Sequence, residues 1–158
     1  MAGTLPVRGL TAFLRLLENG KTSRVRLLLG LSIASYTIYT FYLTALKHYA
    51  FKSTAWDLGI FMQVLWTTAF NGQFLYYTPE LHINPGGCFF GIHFSPILLL
   101  LVPLYAVSPR AETLLFIQSL IVASAAIPIF LIGRDKLGSE PAALLVSTAY
   151  LLYLPTHE

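Results

Sequence analysis

Apolar residues in this chain come in long unbroken blocks, not in narrow stripes. Leu27 to Leu46 is about twenty residues without a charge, which at about 1.5 Å per helical residue crosses a hydrocarbon core of about 30 Å. Thr113 to Ile132 is a second such block, preceded by Arg110 and Glu112 and followed by Arg134, Asp135 and Lys136. Two shorter blocks run from Ile97 to Val107, broken by Pro103 and halted by Ser108-Pro109, and from Pro141 to Leu154. The pattern predicts an all-α, multi-pass transmembrane helical bundle with spans at about 27–46, 93–107, 112–133 and 141–155. Ser95-Pro96 is a strong helix start, since Ser caps free amides and Pro suits the first helical position. The span that follows it reaches full length only by starting earlier, near Phe89, or by crossing a locally thinned bilayer.

Between the first two apolar blocks the pattern changes. Thr54 to Phe70 reads as a helix of another kind, opened by Thr54-Ala55-Trp56-Asp57, which matches a Ser/Thr-x-x-acid capping box, and ended by Asn71-Gly72. It is short for a crossing and carries Trp56 and Trp66, so it is placed along the outer interface as an interfacial helix over about 54–70. Residues 71–92, punctuated by Pro79, Asn84-Pro85 and Gly86-Gly87, form an external loop. Tyr36, Tyr39 and Tyr42 recur every three residues in the first span and are expected to turn their hydroxyls toward neighbouring helices. Leu10, Phe13, Leu14, Leu16 and Leu17 give the N-terminal segment, residues 1–24, a short surface-lying amphipathic pattern.

Charge then orients the bundle. Only 11% of the 158 residues are charged, against roughly 25% in soluble domains, which excludes an ordinary water-soluble globule. Arg8, Arg15, Lys21, Arg24 and Arg26 stand before or at the start of the first span, and only Lys47 and Lys52 soon after it. That bias makes the chain an integral membrane protein with a cytoplasmic N-terminus and the lipid bilayer as its partner. The net charge of +3 does not gather into a basic patch among aromatics, so nucleic acid is excluded as a partner. The lone Cys88 rules out an internal disulfide.

Chemistry-bearing residues concentrate between Trp56 and Pro96. Asp57 has three readings: a general base toward a hydroxyl, an oxygen ligand to a divalent metal ion, or a helix cap. His82 and His93 lie too far from it in sequence for a compact ligand spacing. His93, just before a helix start, is either a loop residue satisfied by backbone and water or a site residue. Gln63 is either an interhelical hydrogen-bonding amide or a substrate ligand. No phosphate-binding glycine loop and no Cys-x-x-Cys pair is present.

In order along the chain stand Asp57-Leu58-Gly59-Ile60-Phe61-x-Gln63-x-x-Trp66, Gly72, His93-Phe94-Ser95-Pro96, Pro103-Leu104-Tyr105 and Leu114-x-x-x-Gln118. In these motifs the chain resembles the N-terminal part of the polytopic membrane family called domain of unknown function 2079. That family in turn looks like the C-class membrane glycosyltransferases, which take sugar from a polyprenyl phosphate. The resemblance implies a catalytic or metal-binding Asp57, with His93, Gln63 and His82 as substrate-binding groups and a polyprenyl-phosphate sugar as donor. It also implies that the chain is the N-terminal part of a larger bundle, with activity in doubt for so short a piece. The competing class is a non-enzymatic membrane bundle, a subunit of a complex or a small-solute transporter, in which Asp57 only caps a helix.

Overall fold

The computed structural model describes residues 24–53 and 55–153. The described residues are all-helical, with one isolated antiparallel bridge and no strand. Helix α1 is Arg24–Tyr49; a π-helical turn, Ala55–Gly59, runs directly into α2, Ile60–Phe70; a 3-10 turn, Phe89–Gly91, precedes α3, Leu98–Val107. Helices α4, Ala111–Ser124, α5, Ala126–Leu137, and α6, Glu140–Tyr153, complete the described chain. The N-terminal amphipathic segment and the Thr54 half of the capping box lie outside the described residues.

Two helical segments, Arg24–Tyr49 and Ala111–Leu137, are long and apolar enough to cross a membrane. The second contains a break that its uncharged sequence conceals. Pro128 has no amide hydrogen to give the Ser124 carbonyl, and its ring crowds that same carbonyl. The chain accordingly turns at Ala125, whose N–H bonds to Val122 O at 3.3 Å, and α5 starts afresh. Leu98–Val107 is a shorter apolar helix. It starts at Leu98 where the sequence suggests 93, because the Phe89 carbonyl collects the amides of both Ile92 and His93 and closes a tight turn before Ser95-Pro96. Ten residues rise only about 15 Å, half of a hydrocarbon core.

The described chain divides into two compact units. In the first, described over residues 24–38 and 120–153, Leu29, Ala123, Ala126, Phe130, Ala143 and Leu151 form the core, with Val25, Ile33, Tyr36 and Tyr150 packed against it. Its strongest local logic is the α5–α6 hairpin. Gly138 takes the left-handed conformation (φ 63°) and its N–H bonds to Arg134 O at 3.0 Å, ending α5. The Ser139 hydroxyl then accepts the Ala142 amide at 3.4 Å to open α6. Gly133 lies so close to Ala143 that an added Cβ would sit 3.3 Å from it. Small residues at such crossings let helix backbones approach where lipid gives no hydrophobic drive. Arg26 of α1 pairs with Glu140, the first residue of α6, at 3.1 Å.

Tyr36 packs on that core, but Tyr39 and Tyr42 face outward. Three residues advance only 300° around a helix, so each successive tyrosine turns about 60° further from the packed face.

In the second unit, residues 39–119, the buried set is Val64, Leu75, Tyr77, Phe89 and Leu98, joined by Ile60, Phe90 and Leu101. The segment between α2 and α3, read from the sequence as a loop, is held by its own backbone hydrogen bonds. Tyr76 bridges Cys88, Tyr77 N–H reaches Gly87 O at 2.9 Å, and Phe89 N–H reaches Leu75 O at 2.9 Å. Gly87 is required there: its φ is +63°, and a Cβ would collide with the Tyr76 ring.

If the α5–α6 crossing depends on this close approach, Gly133→Leu should destabilise the protein by about 1–3 kcal/mol through overpacking. Ile132→Ala, beside it but facing outward, should stay within about 0.5 kcal/mol. Mixed-micelle denaturation followed by circular dichroism compares the two, and equal losses would dismiss the packing account.

Candidate functional site

Asp57 sits in the π-helical turn that opens α2. Its carboxylate is near the positive end of the helical run from 55 to 70, where negative charge is favoured. Residue 57 is exposed, and among the described residues its side chain makes no hydrogen bond or ion pair. π-turns are rare and recur at functional sites because they shift side chains out of the regular helical register. The π-turn passes into α2 through Gly59 in helical conformation, with no side-chain cap at that junction.

Beside this turn lies a cleft of about 300 Å³ lined by His48, Tyr49, Phe51, Ser53, Leu58, Gly59 and Met62. The last two residues before the regular helix, Leu58 and Gly59, follow Asp57 directly and form one wall. The other wall is the end of α1 and its connecting turn. Lys52 N–H bonds to Lys47 O at 3.0 Å and Phe51 N–H to His48 O at 3.0 Å, closing the last carbonyls of α1. Phe51 takes a left-handed φ of 55°, uncommon for a residue with a bulky side chain. Inside this turn His48 Nδ1 lies 3.0 Å from Ser53 Oγ.

The other sequence-marked residues gather elsewhere in the same unit. Gln63 fastens the folded loop to α2: its Nε2 donates to Thr78 Oγ1 at 3.1 Å, and its Oε1 accepts Thr78 N–H at 3.2 Å. Thr67 and Thr68 act in parallel, Thr67 Oγ1 donating to Tyr76 O at 2.7 Å and Thr68 Oγ1 accepting Leu75 N–H at 2.8 Å. His93 stacks on Phe89, ring centres 5.0 Å apart, with Nε2 3.5 Å from Glu80 Oε2. The same carboxylate oxygen accepts the Tyr77 hydroxyl hydrogen bond. His82 is exposed on the loop.

The structure therefore brings Gln63 to Thr78 and His93 to Glu80, and leaves Asp57 and His82 out of both contacts. Among the described residues no three His, Cys, Asp or Glu side chains gather in a way that could hold a metal ion. Asp57 offers one carboxylate, which does not amount to a protein-built metal site. His48, Ser53, Tyr77 and Glu80 escape sequence reasoning. His48 reads as one more basic residue after a span; Tyr77 and Glu80 read as solvated loop.

Tyr77 is almost fully buried, and burial together with the Glu80 hydrogen bond pushes its phenol from 10.0 up to about 12. The folded state thus holds this proton more tightly than the unfolded chain. The resulting stability is complete below about pH 10 and is lost as pH rises toward 12. Tyr77→Phe should cost about 1.5–3 kcal/mol at neutral pH, typical of a hydrogen bond to a charged group. It should also shallow the decline between pH 10 and 12, as measured by thermal melts of the detergent-solubilised protein. A decline of unchanged steepness would rule out Tyr77 as its source.

The stretch that contains the cleft, the π-turn and the folded loop is also the stretch with recognisable kin. A family model described as predicted membrane protein (DUF2079) matches residues 47–156. No curated protein and no solved structure matches the chain. The match names a membrane family and no glycosyltransferase. It covers more than half of the sequence, from the last turn of α1 to beyond α6, and the chain belongs to that family of membrane proteins, domain of unknown function 2079.

Proposed function

We propose that the protein is a glycosyltransferase-like integral membrane module that uses a polyprenyl-phosphate-linked sugar, with Asp57 as its general base. The observation that carries this reading is an exposed, unpaired carboxylate on a π-turn, next to a cleft with apolar walls at the end of a membrane-length helix. A sugar carried on a lipid needs such a border between apolar and polar surroundings. Asp57 accepts the proton of the acceptor hydroxyl as the acceptor oxygen bonds to the anomeric carbon; the bond from that carbon to the phosphate oxygen breaks, and the phosphate leaves with the electron pair. Gln63 serves by holding the loop against α2, and His82 meets substrate from the solvent side. His93 can meet phosphate or acceptor only at Nδ1, because Glu80 stands at Nε2.

The proposed arrangement in the membrane is multi-pass. The N-terminus is cytoplasmic, spans lie at about 27–46, 112–133 and 141–155, the 93–107 segment holds the short helix Leu98–Val107, and residues 71–92 are external. A non-enzymatic bundle is the second reading. It is favoured by one observation: Gln63 and His93 are both engaged in fastening the loop.

Asp57→Asn in a full-length family member should abolish transfer from a polyprenyl-phosphate sugar, by at least about 100-fold as for loss of a general base, with an unchanged melting temperature. Lowered melting with intact transfer would return Asp57 to helix capping.

Topology is tested on the loop. Cys88 is only partly exposed and Tyr77 is core, so neither is a suitable reporter; Ile83 is 62% exposed. A Cys88→Ser, Ile83→Cys protein in intact cells should react with a membrane-impermeant maleimide. Reaction only after lysis would invert the proposed orientation.

A further inference from the structure

Helix α3 is apolar on every side that it shows. Leu98 belongs to the core of the second unit, Leu101 packs against it, and Tyr105, the one polar side chain in the helix, is buried. Ile97, already helical in its backbone, stands with Leu100, Leu104 and Val107 at the spacing of one helix face, and all four are exposed. On a helix at the surface of a water-soluble protein that face would be polar. An exposed face without one polar group needs an apolar cover, yet the helix is only about 15 Å long.

Two contacts fix the boundary of the membrane at which this helix must end. Within the second unit the hydroxyl of Tyr49, the last residue of α1, donates to the carboxylate of Glu112 in the first turn of α4. Phe41 and Phe116 meet edge to face with ring centres 5.6 Å apart, so the end of α1 and the start of α4 run past each other in opposite directions. Helix α1 has 26 residues and a length of about 39 Å, longer than a hydrocarbon core of about 30 Å. Tyr49 therefore stands at the boundary that α1 reaches, and Glu112 stands there with it. Only residues 108–110 separate α3 from α4, and the chain from Val107 to Ala111 reaches at most about 14 Å. Had α3 carried the chain to the far boundary, α4 could not begin beside Tyr49.

Within the first unit, Arg26 and Glu140 give the same count at the other boundary. Their contact at 3.1 Å sets the first turn of α6 beside the start of α1. With α3 as a crossing, α4 and α5 would deliver Glu140 to the boundary opposite Arg26. Without it they deliver Glu140 to the boundary of Arg26. Arg134 and Lys136 then join Arg24 and Arg26 on one side, in keeping with the bias of basic residues in membrane proteins.

We propose that α3 does not cross the bilayer but lies at the boundary reached by the end of α1, with Ile97, Leu100, Leu104 and Val107 in the acyl chains of that one leaflet. Its buried side carries Val64 of α2 and Leu75 and Phe89 of the loop, so α3 is the layer on which they rest at the lipid surface. The chain crosses three times, through α1, through α4 with α5, and through α6. This arrangement rests on the multi-pass reading and not on glycosyl transfer, and it holds for either orientation of the N-terminus.

The full chain with Cys88→Ser is given one cysteine at a time at exposed positions, Ile83→Cys before α3, Arg110→Cys after it and Lys136→Cys at the end of α5. Each is treated with a membrane-impermeant maleimide in intact cells and after lysis, with denatured protein setting full labelling. Ile83→Cys and Arg110→Cys should react from one side and Lys136→Cys from the other. Reaction of the first two only after lysis, with Lys136→Cys open in intact cells, supports the proposal in the reversed orientation. Ile83→Cys and Arg110→Cys reacting from opposite sides overturns it, as does Lys136→Cys reacting with Arg110→Cys from one side. In phosphatidylcholine vesicles, a bimane on Leu104→Cys should be quenched about twofold more by chains brominated near the headgroup than by chains brominated near the methyl end, as for a helix seated at the interface. The reverse order overturns the proposal. Quenching by neither overturns it also, since protein and not lipid would then cover the face.

Discussion

Phe89 is the residue on which the second unit depends. Its N–H pairs with Leu75 O and its carbonyl receives Ile92 and His93. Its buried ring meets Phe61 at 5.8 Å, Tyr77 at 5.4 Å and His93 at 5.0 Å. One side chain therefore joins α2, the folded loop and the entry to α3. Edge-on ring contacts of this sort add to ordinary area burial, and they order a segment whose glycines and prolines would otherwise cost much conformational entropy to hold. The tight turn at Phe89 also decides where α3 can begin, and so shortens it to ten residues.

Polar side chains in this unit divide by what they do for the backbone. Gln63, Thr67 and Thr68 project from one stretch of α2 and satisfy backbone groups of the loop laid against it. Buried amides and carbonyls without such partners would be expensive beside a bilayer. Tyr77, Glu80 and His93 form a second fastening, phenol to carboxylate to imidazole. Asp57 takes no part in either, and this separation is the structural basis for treating it as the group available for chemistry. His48 and Ser53 are coupled to each other within the left-handed turn that ends α1.

Membrane class and helical architecture were legible from the sequence because they follow from composition. Long uncharged runs must satisfy their backbone internally in lipid, and a helix does so within one segment. The α5–α6 turn was equally local, since Gly138 and Ser139 carry the chemistry of a helix end and a helix start. The break before Pro128 was local too, yet uniform hydrophobicity hid it, because a hydropathy pattern does not register a missing amide hydrogen.

Tertiary structure decided the rest. Whether Gln63 faces a substrate or Thr78, and whether His93 stands in solvent or beside Glu80, depends on contacts between residues 13 to 15 positions apart through a loop that reads as irregular. Tyr39 and Tyr42 turned outward for a similar reason: spacing along a helix gives relative angles, but only a neighbour gives the packed face. The pairing of His48 with Ser53, and the cleft they line with Leu58 and Met62, required the left-handed turn at Phe51 to fold the end of α1 back toward the π-turn. Nothing in the one-dimensional pattern marks that turn, since Phe is among the residues least disposed to adopt it. The sequence by itself determined a helical membrane protein with its polar residues clustered after the first span. The packing around Phe89 and the left-handed turn at Phe51 determined which of those residues hold the fold, because a side chain's partners are set by through-space contacts that sequence spacing does not encode.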